Sequence, residues 1–267
     1  MKFAAAPKFA LLAVLVFAFA LTGCGFLNSS SSRSALNAGN WSFIATSTVT
    51  PSQISHIGGN LAVSGSAVSS TMHSDLGCFD VSAPFAFGGT LQNKQITFTS
   101  PANANGQVVT VIASVTSPTA ITGSYTVTAG GGCLADQGSI TAARVPSISG
   151  TWTGPIVGSG GPNVTLAMAL TQAATASSDG TFALTGNLTY ANSSCSVSGT
   201  VTNSYLAGTM LVINGTTLET DNSAGNFQIP DALLNSSSAP TNFKGTYSVI
   251  NSTNCAGDTD TPTFTKQ

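Results

Sequence analysis

The sequence predicts an all-β protein, built as two tandem antiparallel β domains behind an N-terminal leader. Three observations carry this. Val109, Val111, Ala113 and Val115 alternate with polar or small neighbours, as do Val164, Leu166, Met168 and Leu170, and Phe182, Leu184, Leu188 and Tyr190. Period-two alternation marks strands with one face in a core and one in water. Gly and Asn clusters such as Asn103–Gly106 and Gly130–Gly132 punctuate these runs at turn spacing. Finally, the chain repeats itself, and repetition is weighed before individual elements. Composition agrees. Of 267 residues only 6% are charged, while there are 28 Gly, 36 Ser and 36 Thr. Ordinary domains carry about a quarter charged residues.

The leader comes first. Lys2 and Lys8 precede an uncharged apolar run from Phe9 to Leu21. That run is shorter than the roughly 20 residues a spanning helix needs, and suits a signal-peptide h-region. It ends in Leu21-Thr22-Gly23-Cys24. These four residues resemble the lipobox of bacterial lipoproteins. The resemblance implies cleavage after residue 23, diacylglycerol on the Cys24 sulfur and acylation of the new amino group, a multi-chain anchor that holds stably. Gly25 follows the cysteine instead of Asp, which in enterobacterial lipoproteins points to the outer membrane. Residues 24–38 then read as the lipidated cysteine and a Ser-rich tether.

The body divides by its anchors. Gly39-Asn40-Trp41 matches Gly150-Thr151-Trp152, and Gly59–Gly65 matches Gly180–Gly186. Cys78 matches Cys195, and Gly123-Ser124-Tyr125 matches Gly245-Thr246-Tyr247. Cys133 and Cys255 follow those tyrosines by eight residues, and Arg144 and Lys266 follow those cysteines by eleven. The expected organisation is 1–23 signal peptide, 24–38 tether, 39–146 first β domain and 147–267 second. Each domain should hold seven or eight short strands. No segment has helical periodicity, although Pro230–Asn235 has room for one short turn.

Four cysteines remain beside Cys24. They allow three pairings, and spacing alone does not choose. The repeat favours one pair per domain, Cys78–Cys133 and Cys195–Cys255. Each would close a loop worth about 4 kcal/mol in the chain-entropy model, in keeping with an oxidising compartment.

Two β architectures compete. An immunoglobulin-like sandwich orders its landmarks Cys, Trp, Cys, whereas here Trp precedes both cysteines. The other is an up-and-down barrel. Gly39-x-Trp41 and Gly150-x-Trp152 resemble the G-x-W motif of lipocalins and related calycins. In that family a basic side chain from the last strand packs over the Trp and closes the barrel floor. The resemblance therefore implies the pairs Trp41–Arg144 and Trp152–Lys266, a cation over an indole face worth about 0.5–2 kcal/mol. The expected fold is a small calycin-like barrel in each domain, with a β-sandwich as the alternative.

Chemistry is sparse. Loss of the leader leaves five basic and nine acidic residues, which excludes a basic nucleic-acid surface. Both histidines, His56 and His73, lie in the first repeat, so no duplicated His-based site exists. His73, Asp75 and Asp80 surround Cys78 in sequence, and turn residues are the plainer reading of them. Asp258-Thr259-Asp260-Thr261 lacks the Gly and closing Glu of a calcium loop. Gly158–Pro162 lacks the Lys-Ser/Thr of a phosphate loop and reads as a hairpin. Glu219 is the sole glutamate, so paired carboxylates for glycoside chemistry are scarce. Phe79, Phe85 and Phe87 form a core cluster or line a pocket. The expectation is a non-enzymatic envelope lipoprotein, a binding or structural module without catalytic residue, metal or cofactor. Its partners would be the membrane, through the lipid, and a small apolar ligand near the Phe cluster, a glycan or an envelope protein. A tandem β-sandwich adhesin or envelope assembly factor is the alternative.

Overall fold

The computed structural model describes residues 36–158 and 161–267. The leader and Cys24 lie outside the described residues. Eight strands form the first domain: β1 Gly39–Ser47, β2 Ile54–Ser64, β3 Ala67–Ser74, β4 Phe85–Gln92, β5 Gln95–Thr99, β6 Val109–Ser117, β7 Ala120–Val127 and β8 Asp136–Arg144. Each pairs antiparallel with the next, and β8 returns to β1 from Trp41↔Arg144 to Ser47↔Gly138. The sheet is therefore a closed up-and-down barrel with no free edge. The sandwich alternative is overturned. Alternation made this possible: in β6, Val109, Val111, Ala113 and Val115 point inward while Ile112 and Ser114 face out. At the β4–β5 turn, Asn93 and Lys94 both take positive φ, 49° and 67°, as a two-residue primed turn demands.

The second domain has ten strands: β9 Gly150–Gly158, β10 Gly161–Gln172, β11 Phe182–Ala191, β12 Ser196–Ala207, β13 Met210–Glu219, β14 Ala224–Leu234, β15 Asn242–Lys244, β16 Tyr247–Ile250, β17 Thr259–Asp260 and β18 Thr263–Lys266. The β13–β14 pairing closes this sheet too, through β15 and β18 back to β9. The ring has eight positions because the seventh and eighth strands are each split. Pro262, between β17 and β18, has no N–H to give a ladder. Between β15 and β16, the Asp231 carboxylate takes the Thr246 N–H at 2.8 Å.

Both interiors are filled by side chains. Trp41, Leu61, Met72, Ile96, Phe98 and Tyr125 are fully buried in the first barrel, and Trp152, Leu166, Met168, Phe227, Phe243 and Phe264 in the second. An eight-stranded ring leaves an interior just wide enough for this. At one end of each barrel a Trp anchors the chain entry. Trp41 Nε1 donates to the Asn37 carbonyl at 2.8 Å, and Trp152 Nε1 donates to the Ile148 carbonyl at 2.9 Å. Lys266 Nζ lies 5.5 Å from the Trp152 ring centroid. Arg144 is the cross-strand partner of Trp41, and its Nε donates to the Ala38 carbonyl at 2.9 Å.

The barrels dock through polar and glycine contacts. The outer wall of β1–β3 meets the β10–β11 loop and the β12–β13 hairpin. Asn40 Nδ2 donates to the Gly208 carbonyl at 3.1 Å, and the Gly208 N–H donates to Asn40 Oδ1 at 2.8 Å. Ser42 and Thr209 hydroxyls are 3.0 Å apart. Gly58 is required here, because a Cβ on it would lie 2.4 Å from the Ala207 carbonyl oxygen and 2.6 Å from Gly208 Cα.

Two expectations need correction. Gly59–Gly65 lies in β2 and its turn, whereas Gly180–Gly186 opens β11, the third strand of its ring, so this pair of segments is not equivalent. The other five anchors occupy matching places. Pro230–Asn235 makes no helical turn: β14 runs through Pro230. The ladder to β13 shifts register between Leu211 and Ile213, opposite Ala232 and Ile229. Pro230 sits in that bulge, where its missing donor is tolerated.

Gly58→Ala should destabilise the chain by about 1–3 kcal/mol, the usual cost of overpacking, read as a lower urea midpoint. Gly77→Ala, whose methyl meets open space, should stay within about 0.5 kcal/mol of the parent.

Candidate functional site

The first barrel's β1–β2, β3–β4, β5–β6 and β7–β8 loops form the end opposite Trp41. One carboxylate organises its throat. Asp136 accepts from Ser47 Oγ at 2.5 Å and from the Tyr125 hydroxyl at 2.6 Å. Ser47 Oγ in turn accepts the N–H groups of Val49 and Thr50, which shapes the β1–β2 loop. Burial, then the Asp136 hydrogen bond and charge, push the Tyr125 phenol well above its ordinary range. It stays neutral, a donor plugging the barrel.

Above this plug sits the rim. The Cys78–Cys133 disulfide joins the β3–β4 and β7–β8 loops, with Cα atoms 6.2 Å apart. Asn103 Oδ1 accepts from Asn105 N and Gln107 N, and Gln107 Nε2 donates to the Leu134 carbonyl at 3.3 Å. The β5–β6 loop is thereby tied to the β7–β8 loop. Aromatic rings lead from the rim into the core: Phe79 to Phe85 at 5.1 Å between centroids, Phe85 to Phe87 at 5.0 Å, Phe87 to Phe98 at 5.9 Å. The Phe cluster thus does both things expected of it. Phe87 is core, while Phe79 and Phe85 are half-buried at the surface.

Two open clefts flank the disulfide. One, about 500 Å³, is lined by Phe79, Pro84, Phe85, Pro101, Asn103 and Asn105. The other, about 340 Å³, is lined by Val49, Leu76, Val127, Leu134 and Asp136. Leu134 is 84% exposed and Val49 53%, so this rim shows apolar surface to solvent.

Among the described residues, the matching end of the second barrel is closed by a disulfide and a tyrosine pair. Cys195 and Cys255 are bridged and buried, with Cα atoms 5.8 Å apart. The Tyr190 and Tyr247 hydroxyls meet at 3.2 Å, and the void beside them is only about 10 Å³. Burial pushes the Tyr190 phenol up to about 12. Glu219, 1% exposed, holds the loop that carries Cys255: its Oε2 accepts from Asn254 N and Ser223 Oγ, both at 3.0 Å. Hydrogen bonds from the Ser252 side chain, Asn254 N–H and Ser223 hydroxyl outweigh burial and the nearby Asp221 charge, and hold the Glu219 carboxyl below its ordinary range.

The residues around Cys78 do not converge as a catalytic group. Asp75 pairs with His56, whose Nδ1 lies 3.0 Å from Asp75 Oδ2. Asp80 caps its own turn, accepting from Ser82 N and Oγ. His73 turns away to the carbonyls of Val81 and Asp179. Asp260 accepts Val157 N and Thr261 N, a loop-fixing role. Among the described residues, no three His, Cys, Asp or Glu side chains come together as metal ligands would. Sequence reasoning missed the Tyr125–Asp136–Ser47 plug and the inter-barrel contacts of Asn40 and Ser42. The second had a signal, since both polar residues flank the buried Trp41 on one strand.

Family models, curated proteins and solved structures were each searched, and none matches this chain.

The contrast between the two disulfide-bearing ends can be measured. Under mild reductant, timed alkylation and peptide mass should find Cys78 and Cys133 labelled before the buried Cys195 and Cys255. The Glu219 contribution to stability is fully present above the ordinary glutamate range near about 4.3. It is lost as pH falls through the lowered folded-state value. The urea midpoint of the parent should therefore drop toward that of Glu219→Gln in acid, and exceed it at neutral pH.

Proposed function

We propose that this chain is a lipid-anchored, non-enzymatic protein of a bacterial cell envelope that holds a small apolar ligand at the rim of its first barrel. The observation that carries this reading is the contrast between the disulfide-bearing ends of the two barrels. One fold position is sealed by a tyrosine pair and a buried disulfide in the second barrel. In the first it presents Phe79 and Phe85 beside a cleft of about 500 Å³, within the usual ~300–1,000 Å³ of ligand sites. Apolar rings with Asn103 and Asn105 at the edge suit an apolar molecule or the apolar face of a glycan. The calycin likeness of the G-x-W motif supports a binding module, although the site here is a rim and not a barrel cavity. The Leu21–Cys24 motif and the Ser-rich tether support an anchor through lipid on Cys24, in the outer membrane. An adhesin or assembly factor working by strand addition is the weaker reading, because closed rings offer no edge to a visiting strand.

The full chain, made with its own leader in a bacterial host and extracted in mild detergent, should carry labelled palmitate, and Cys24→Ser should abolish the label. Its native mass spectrum should show an excess that vanishes on denaturation and is lost in Phe79→Ala/Phe85→Ala. A bare mass in the parent, or an excess the double variant retains, would count against the rim site.

A further inference from the structure

We propose that the cleft between the two barrels binds a small organic cation with an apolar body, at a site separate from the rim of the first barrel. The cleft measures about 470 Å³, within the usual ~300–1,000 Å³ of ligand sites. Its walls come from both barrels. The first supplies the end of β3 and the β3–β4 loop, and the second supplies β12, β13 and β14. Places where domains meet are favoured positions for such sites.

The lining is mostly apolar. Val81, Tyr205, Met210, Val212, Pro230 and Leu233 all contribute to it. This departs from the outer wall elsewhere. On β11 the outward positions include Ala183, Thr185, Asn187 and Thr189, which are small or polar. On β12 to β14 the half-buried outward residues Tyr205, Val212 and Leu233 are large and apolar or aromatic. His73 also lines the cleft, but its two ring nitrogens already face the Val81 and Asp179 carbonyls.

The charged groups in the lining are of one sign. Asp75 and Asp231 both border the cleft, and both are exposed. Asp231 accepts from Thr246 N and Oγ1, neutral donors that leave its charge in place. Asp75 holds His56 through the backbone N–H and the ring Nδ1. A carboxylate offers about four lone-pair sites, so each acid has room for a further donor. No lysine or arginine lines the cleft. Lys244 stands one strand beyond it, as the cross-strand neighbour of Leu233, and among the described residues it makes no ion pair with Asp231.

This arrangement defines the ligand. The apolar wall takes a hydrocarbon or aromatic body. The two carboxylates take an ammonium or similar head and turn away an anion. The Tyr205 ring adds the attraction of an aromatic face for a cation. The cleft shares neither Phe79 nor Phe85 with the rim, so the two sites stand or fall separately.

The test is methyl NMR of the full chain in phosphatidylcholine nanodiscs, with isotope-labelled methionine. Met72 and Met168 are fully buried inside the two barrels, while Met210 lines the cleft. Three probes share one body and differ in the head: phenylbutylamine, phenylbutanol and phenylbutanoate. The amine should shift the Met210 methyl saturably and leave those of Met72 and Met168 in place. Its midpoint in free probe should be at least about threefold lower than that of the alcohol, the scale of one exposed ion pair, and the anion should not shift it. Asp231→Asn keeps an acceptor for the Thr246 N–H; it should weaken the amine and leave the alcohol unchanged. Phe79→Ala/Phe85→Ala should leave the whole Met210 response intact. A Met210 methyl that no probe moves, or that all three move equally, would overturn the proposal without recourse to any variant. So would an amine preference that Asp231→Asn leaves untouched, or a Met210 response that the rim double variant removes.

Discussion

Ring closure is the constraint on which the rest of this molecule depends. An antiparallel sheet of eight strands that meets itself has one interior and no edges, and that interior is only wide enough for side chains. Inward positions are therefore mostly apolar and of the right size, with small polar residues such as Ser70 and Thr217 among them. Trp41, Phe98 and Tyr125 fill one ring, and Trp152, Phe243 and Phe264 the other. A filled interior displaces function to the ends and the outer walls. The low charge of the chain follows the same logic. Thr and Ser on outward strand positions keep the walls wet without building an electrostatic field, so recognition must come from the shape of the loops.

Duplication then supplies two copies of each end, and these have diverged. Both copies keep a disulfide between the third- and seventh-strand loops, a tyrosine in the seventh strand and an Asp three residues after the second cysteine. In the first copy Tyr125 gives its proton to an Asp136 hydrogen bond low in the throat, and the rim above stays open. In the second the equivalent tyrosine meets Tyr190 instead, and the disulfide sinks into the core beside Glu219. One set of residues thus yields a lidded barrel and an open one, through small changes in what the tyrosine faces.

Much of this was legible in the sequence. Alternation around Val109–Val115 and Val164–Leu170 specifies strand faces, and five paired landmarks place the cysteines in matching loops. The parts that were not legible depend on contacts distant in sequence or on composition. Gly59–Gly65 and Gly180–Gly186 look alike because glycine and alternating small residues recur everywhere in this chain, yet they occupy different strands. Pro230 reads as a strand breaker until the β13 register shift provides the bulge that accepts it. His73 looks like a turn residue near Cys78, because its second partner, the Asp179 carbonyl, is 106 residues away. The open rim depends on which tyrosine meets which acid, and no single residue announces that.

The junction between the barrels is built unlike their cores. Asn40 exchanges two hydrogen bonds with the Gly208 backbone, Ser42 meets Thr209, and Gly58 allows backbone to touch backbone. Such contacts fix orientation closely, and their net worth is only about 0.5–1.5 kcal/mol each. A joint made of a few modest, geometry-bound hydrogen bonds is sensitive to any one of them.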